Sequence, residues 1–424
     1  MGRGTFRSQN KVGETMSFQT NSSSGTTFDP AVTFLSGSDR VSWDLGIGNG
    51  YIADNTLVYT YPDATTKTVT LRTNKLSNLY KCFFNNDNIV GNLDMSGWDN
   101  LGDTFYIQSN SALTGITHTA STEVFSNYRA YSCGLTGNHD MSMLPGLGGS
   151  FYIYSNLNLT SITHTASTET FIRYWANNCG LVGNHDMSMF PGLGGQFLIY
   201  DNSALTSITH TASTEVFSSY YANDCDLTGN HDMSMLPGLG GVFRVYNNSN
   251  LTSITHAAST EVFTAYVAND CNLGISHDMS MLTGLGGYIR MYNNAILRTI
   301  TFPLTSQTFK NLSNSNFNYA FSLNGADLNY CSFLPLSGAT LDVNYAQGST
   351  INLSDNGMIS SEVNHYLVDF DNLSTNLNPS GWSGVTLFIG GSNAAPDSSS
   401  GGFNGIAALS SLTGGTNNWT VTTS

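Results

Sequence analysis

A block of 46 residues that opens at Leu113 is written again at Leu159, Leu205 and Leu251, and begins a fifth time at Leu297. The copy LTSITHTASTEVFSSYYANDCDLTGNHDMSMLPGLGGVFRVYNNSN, residues 205–250, nearly repeats 159–204 without insertion or deletion. Chains that copy themselves at fixed spacing build stacks in which each unit buries the face of its neighbour. This constrains the architecture before any other reading.

The underlying unit is half as long. Every 23rd residue from Phe105 reads Phe105, Tyr128, Phe151, Tyr174, Phe197, Tyr220, Phe243, Tyr266 and Ile289. Five residues further on, the series is Asn110, Cys133, Asn156, Cys179, Asn202, Cys225, Asn248, Cys271 and Asn294. Two kinds of 23-residue coil therefore alternate. Tyr220 and Ala222, two apart, point to one side of a short strand, and stacked coils set such strands side by side in a parallel sheet. The Asn or Cys slot falls where the chain leaves the strand. Asn there satisfies backbone groups of the turn, and Cys is a smaller, weaker substitute, which predicts an Asn/Cys ladder along the stack.

The segment Phe217-x-x-Tyr220-x-Ala222-x-x-Cys225-x-Leu227 has the spacing L-x-x-L-x-L-x-x-C-x-L. It resembles the leucine-rich repeat, with aromatics in two leucine slots and a period inside that family's range. The expected fold class is mainly β: a leucine-rich-repeat solenoid with its parallel sheet on the concave face, a small N-terminal β-sandwich and a C-terminal cap.

Composition narrows the function. Charged residues are 10% of the 424, and the net charge is 14 − 29 = −15. Nucleic-acid binding through phosphate contacts is not expected, and no run of 18 apolar residues offers a membrane-inserting helix. The start, MGRGTFRSQNKVGETMSF, lacks the apolar core of a secretory signal. Yet a chain poor in Lys and rich in Asn, Thr and Gly reads as extracellular. Synthesis in a host cytoplasm followed by release on lysis, as for bacteriophage virion proteins, would reconcile the two and is the expectation, since residue 1 is Met; a mature or tagged fragment whose signal was removed is the alternative. Cys133, Cys179, Cys225 and Cys271 are two coils apart, roughly 10 Å at ordinary strand spacing, beyond the about 7 Å that a disulfide spans. These four, with Cys82 and Cys331, are expected as buried thiols.

Along the chain, residues 1–15 read as an arm and 16–75 as alternating strands. VSWDLGIGNG (41–50) and YTYPDATTKTVTL (59–71) resemble a PKD-type, immunoglobulin-like sandwich through Trp43, Asp44, Tyr61 and Val69. The second Asp of that family's turn and its later Gly are missing here. The resemblance implies a spacer. The solenoid is expected over 76–360, regular to about 300, and the cap over 361–424, where SEVNHYLVDF reads as a short helix. The end, SNAAPDSSSGGFNGIAALSSLTGGTNNWTVTTS, resembles the C-terminal segment of leucine-rich-repeat surface proteins of Bacteroidetes and their phages.

Candidate chemistry is sparse. His139-Asp140, His185-Asp186, His231-Asp232 and His277-Asp278 look like ligand pairs, as do His118, His164, His210 and His256 near Glu123, Glu169, Glu215 and Glu261. Copies of one position stand roughly 10 Å apart in a stack, whereas metal ligands lie about 2 Å from one ion. Two different positions of one coil could still meet. Their place in the copied framework points to turn and packing roles, and no metal or cofactor is expected. The run Pro145–Gly149 is a turn rather than a phosphate loop, since no Lys-Ser/Thr follows. No nucleophile constellation is present, and no enzyme is expected.

The copies disagree in and beside the strand, in NYRAY (127–131), RYWAN (173–177), SYYAN (219–223) and AYVAN (265–269), and in SFYIY, QFLIY, VFRVY and YIRMY of the other coil type. The outward positions are Tyr106, Arg129, Tyr131, Tyr152, Tyr154, Arg173, Trp175, Asn177, Tyr200, Tyr221, Asn223, Arg244, Tyr246, Arg290 and Tyr292. Tyr, Trp and Arg are enriched at binding hot spots, and aromatic faces suit sugar rings. The competing reading is drift on an exposed face whose tyrosines pack across strands. The functional expectation is a phage fibre, spike or head-decoration protein, attached to other virion proteins through its N-terminal region. It would bind a host surface glycan or protein through the concave face, and a homotrimer would suit that role. A bacterial cell-surface adhesin and a purely structural decoration protein are the alternatives.

Overall fold

The computed structural model describes residues 14–21, 27–35, 39–48, 50–54, 57–63, 65–297, 299–301, 308–309, 321–322, 340–341, 350–376, 385–414 and 418–423. The chain is mainly β: about nine coils of roughly 23 residues form a β-solenoid, followed by a small helical region. Residues 1–13 of the expected arm and Cys331 lie outside the described residues, while Glu14 and Thr15 belong to the strand Glu14–Thr20. The chain divides into two compact units, Met1–Gly180 and Leu181–Ser424.

In the first unit each coil adds one strand to a parallel sheet, in the order Leu79–Phe83, Asp103–Tyr106, Phe125–Arg129, Leu147–Tyr152, Phe171–Trp175. Register advances one coil per strand, so Phe83 pairs with Tyr106, Tyr106 with Arg129, Arg129 with Tyr152, and Tyr152 with Trp175. Equivalent residues thus form rows across the sheet. A second layer consists of parallel strand pairs, Ile89–Met95 with Leu113–His118 and Thr136–Met141 with Asn158–His164. The copied THTAST and GNHDMS segments contribute these strands and the turns that follow them. Between the layers Phe105, Tyr128, Phe151 and Tyr174 form one column of rings, with successive centroids 4.8, 5.3 and 5.1 Å apart, inside the range of favourable aromatic pairs.

The Asn slots lock coil to coil. Asn156 is buried and donates from Nδ2 to Ile153 O at 2.6 Å and to Ala130 O at 2.9 Å, while its Oδ1 accepts from Leu135 N at 3.3 Å. Asn110 repeats the pattern with Ile107, Phe84 and Ile89. In the intervening slot the Cys133 thiol donates to Ile107 O at 3.2 Å, and Cys179 to Ile153 O at 3.4 Å. Burial pushes the Cys133 thiol up to about 11 and the Cys179 thiol up to about 12. The residue before each slot, including Ser109, Ser132 and Ser155, sits at a φ between 53° and 64°, which turns the chain out of the strand. The Pro145–Gly149 turn is set by stacking distance: a Cβ on Gly146 would lie 2.2 Å from Glu123 O.

The N-terminal strands complete both layers of this unit. Glu14–Thr20 runs antiparallel to Lys67–Thr73 and to Ile89–Met95, and Ala31–Phe34 runs antiparallel to Leu79–Phe83. Sheet edges that would template aggregation are thereby paired. The core is continuous across residue 75, because Phe84 of the first coil packs on Phe18 at 5.3 Å and on Trp43 at 6.1 Å.

The second unit repeats the design. Leu193–Leu198, Phe217–Tyr221, Gly241–Arg244, Phe263–Val267 and Leu285–Arg290 lie parallel in that order. Asn202, Asn248 and Asn294 are buried and donate to Ile199 O, Val245 O and Met291 O. In the slots between, Cys225 and Cys271 donate to Ile199 O and Val245 O. The parallel sheet continues through Phe321–Ser322, Thr350–Asn352, Thr386–Phe388 and Thr420–Thr422, so strands of the solenoid reach into the segment expected as a cap. Asn356 and Asn393 take up the ladder there, donating to Leu353 O at 2.8 Å and Ile389 O at 2.9 Å. The helices Ser360–Asn376 and Gly405–Thr413 pack together beside these last coils, and Trp419 meets Phe370 at 5.8 Å.

Candidate functional site

The strand face of the first unit carries three rows. The middle row is Phe83, Tyr106, Arg129, Tyr152 and Trp175, held in line by the register. The Arg129 guanidinium lies over the Tyr106 ring at 4.3 Å and over the Tyr152 ring at 5.4 Å. Cation–π contacts of this kind are worth about 0.5–1 kcal/mol where exposed and more where desolvated. Trp175 meets Tyr152 edge to face at 4.9 Å. In the next row Tyr131 and Tyr154 stack at 4.5 Å, only 6° from parallel. Burial raises the Tyr154 phenol, with help from Tyr131, so it stays protonated at neutral pH. Arg173 and Lys81 occupy the third row, where Lys81 is ion-paired to Asp103. Arg129 has no ion-pair partner among the described residues, and its Nε and the Trp175 Nε1 are enclosed without a protein acceptor.

In the second unit the same rows bring Tyr200 to Tyr221 at 6.3 Å and lay Arg244 over Tyr221 at 4.7 Å. Tyr246 and Tyr292 are half-buried, and burial raises both phenols. Leu198 and buried Val267 interrupt the aromatic row, and Arg290 follows at its end. The left-handed turn residues here include carboxylates: Asp201, Asp224 and Asp270. Asp224 accepts from Asn223 and from Asn247, each at 2.6 Å. Burial and the neighbouring Asp224 raise the Asp201 carboxyl. Among the predicted outward residues, Asn177 and Asn223 are nearly enclosed, 8% and 4% exposed. They take the row position of Tyr131 and Tyr154, one coil after Tyr154 and Tyr200, as shorter side chains that are more enclosed than the tyrosines.

The histidines build a second constellation, inside the solenoid. Tyr128 Oη lies 2.9 Å from His118 Nε2 and 2.8 Å from His139 Nε2. Tyr220 bridges His210 and His231 at 2.9 and 3.0 Å, and Tyr266 bridges His256 and His277 at 3.0 and 2.9 Å. A hydroxyl has one proton, so one imidazole of each pair donates to it and the other accepts. The enclosed Nδ1 atoms of His118, His210 and His256 lack a protein partner. We therefore assign the bare nitrogen to Nδ1 and the donated proton to Nε2 of those residues. Burial holds His118 and His210 down at about 3, and His139, His185, His231 and His277 at about 4. All are neutral at pH 7. The adjoining aspartates close turns instead: Asp140 accepts from Ser142 N at 2.9 Å, as Asp186, Asp232 and Asp278 do from Ser188, Ser234 and Ser280. Among the described residues no group of three or more His, Cys, Asp or Glu side chains gathers to hold a metal.

Fold and face together define a β-solenoid with a structured outward sheet surface and an interior laced with Tyr–His hydrogen bonds. No protein-family model, curated protein or solved structure matches the chain. No helix among the described residues is long and apolar enough to cross a membrane.

Proposed function

We propose that the chain is a binding protein whose strand face engages a ligand on a bacterial surface, and that it serves on a phage virion as a fibre, spike or head-decoration protein. The observation that carries this reading is the contrast between copies. Ladder, ring column and histidine positions recur almost unchanged, whereas the outward position reads Tyr106, Arg129, Tyr152 and Trp175 in coils of the first unit and Leu198, Tyr221 and Arg244 in coils of the second. A framework held constant under a varied surface is the pattern of a scaffold that presents recognition residues. Supporting it, these side chains are ordered by each other before any ligand arrives, which lowers the cost of binding. The likeness to leucine-rich-repeat and PKD-type segments fits the same role, with the N-terminal region as the attachment point.

The test is binding of the purified chain to intact cells of a panel of Bacteroidetes-type strains. Replacing Arg173→Ala together with Trp175→Ala is expected to weaken binding by about tenfold or more, as loss of hot-spot residues does. Unchanged binding by the double variant sinks the reading.

A further inference from the structure

We infer that the strand face of the first unit takes an anionic glycan, a polysaccharide bearing carboxylate or sulfate groups, with Arg129 as the anion-binding centre. The inference rests on the proposed role of this face and names its ligand class. Four observations converge on it.

The protein carries a net charge of −15, yet Arg129 has no carboxylate partner among the described residues. A guanidinium in such a chain has many acids available as partners, and this one is held by two tyrosine rings instead. Its planar fork, already oriented, matches an oxyanion in two-point fashion. Second, the Trp175 indole N–H and Arg129 Nε are enclosed donors with no protein acceptor, and buried donors ordinarily have one. Both groups pack on the Tyr152 ring, so an oxyanion that opens this cluster would meet donors that give up no protein partner.

Third, ring faces are engaged within the sheet. Tyr131 and Tyr154 turn their faces to each other, Arg129 covers Tyr106 and Tyr152, and Trp175 abuts Tyr152. This leaves less open ring surface for stacking a neutral sugar, and favours ligands bound through hydroxyl, indole and guanidinium donors. Fourth, the turn slots bordering this face are Ser109, Ser132, Ser155 and Asn178, whereas the same slots of the second unit include Asp201, Asp224 and Asp270. Asp103 is neutralised by Lys81. The first face is thus free of the border of carboxylates that would repel a polyanion.

The full chain would be tested by biolayer interferometry against immobilised polygalacturonate, its carboxyl-reduced neutral counterpart, dextran sulfate and dextran. We expect binding to one or both polyanions, at least about tenfold weaker binding to their neutral partners, and weakening as salt rises. Arg129→Met should lower the affinity about tenfold or more, and Arg129→Lys, which keeps the charge without the fork, should fall between. Arg72→Met removes an equal charge from the N-terminal sheet and should leave binding unchanged; unaltered thermal melting of each variant certifies its fold. Equal binding of neutral and anionic polymers, or polyanion binding that survives Arg129→Met, overturns the inference. If neither polyanion binds while the Arg173→Ala, Trp175→Ala variant still loses cell binding, the ligand class falls and the binding face stands. If that variant binds cells normally, the face reading falls as well.

Discussion

The Tyr128 hydroxyl stands 2.8 Å from His139 Nε2 and 2.9 Å from His118 Nε2, joining two strands of the second layer through a residue of the first. The Phe/Tyr alternation of the ring column follows from this. Tyrosine occurs in the coil whose neighbours supply imidazoles, and phenylalanine in the coil between. Removing one hydroxyl by Tyr128→Phe leaves a buried imidazole N–H and an imine nitrogen without their partner. We expect a loss of about 1–3 kcal/mol, read as a lower denaturant midpoint. A neutral result would mean that the relay does not contribute to stability.

The histidines also set the response to acid. Their folded pKa values, about 3 to 4, lie below the unfolded value of about 6.5. The unfolded chain therefore binds protons that the folded chain does not. Their contribution is whole above about pH 6.5 and is lost as pH falls toward the folded values, at about 1.4 kcal/mol per site and pH unit. Six such sites act in the same direction, so the loss steepens as they add. A steep, cooperative acid transition between about pH 6 and pH 4 is expected by circular dichroism. A melting temperature that is flat from pH 7 to pH 4 would contradict the buried, neutral assignment.

Ladder positions should differ in weight. Asn156 makes two donations and one acceptance, all to backbone, whereas Cys133 offers only a weak thiol donor. Asn156→Ala should cost about 2–4 kcal/mol and Cys133→Ala about 1 kcal/mol. Chemical denaturation of the two variants in parallel gives the ranking, and the reverse order would refute it.

Asp87 occupies the ladder slot of the first coil, one period before Asn110. Burial raises its carboxyl well above the usual range. A raised folded pKa contributes stability at low pH that is lost as pH rises through that value. Asp87→Asn keeps the shape and needs no proton to donate. It should raise the melting temperature at pH 7 and give a smaller gain at pH 4. A fall at pH 7 would show that the ionised carboxylate is required.

Much of the fold was legible because period and hydrogen-bonding type repeat together. Phe105/Tyr128 and Asn110/Cys133 mark strand and turn in every coil, and a row in the sequence became a row in the sheet. The His–Tyr–His relay was not read, because its partners lie 10 and 11 residues from Tyr128 on other strands. The signal was present all the same: tyrosine alternates with phenylalanine at the period of the histidine pairs. Asn177 and Asn223 follow the same alternation as Tyr131 and Tyr154, and only their low exposure, 8% and 4%, was beyond the reach of the pattern. Ile351-x-Leu353-x-x-Asn356, inside the expected solenoid, keeps the strand-and-slot signature, whereas Thr386–Phe388 and Thr420–Thr422 lie in the segment expected as a cap, where the 23-residue spacing is lost. Pairing of Ala31–Phe34 and Glu14–Thr20 with the first coil is a long-range match that alternation alone does not specify.

The alternation of tyrosine with phenylalanine bears on heredity as well as on packing. Slippage between near-identical stretches of a gene can add or drop whole copies. Loss of 46 residues, such as 159–204, restores tyrosine between its imidazoles and asparagine opposite cysteine. Loss of 23 leaves a phenylalanine or a tyrosine beside a single imidazole at the join and puts like slots in succession. The molecule's length is therefore quantised in pairs of coils, and each inherited step brings its own set of outward side chains while both ends remain untouched.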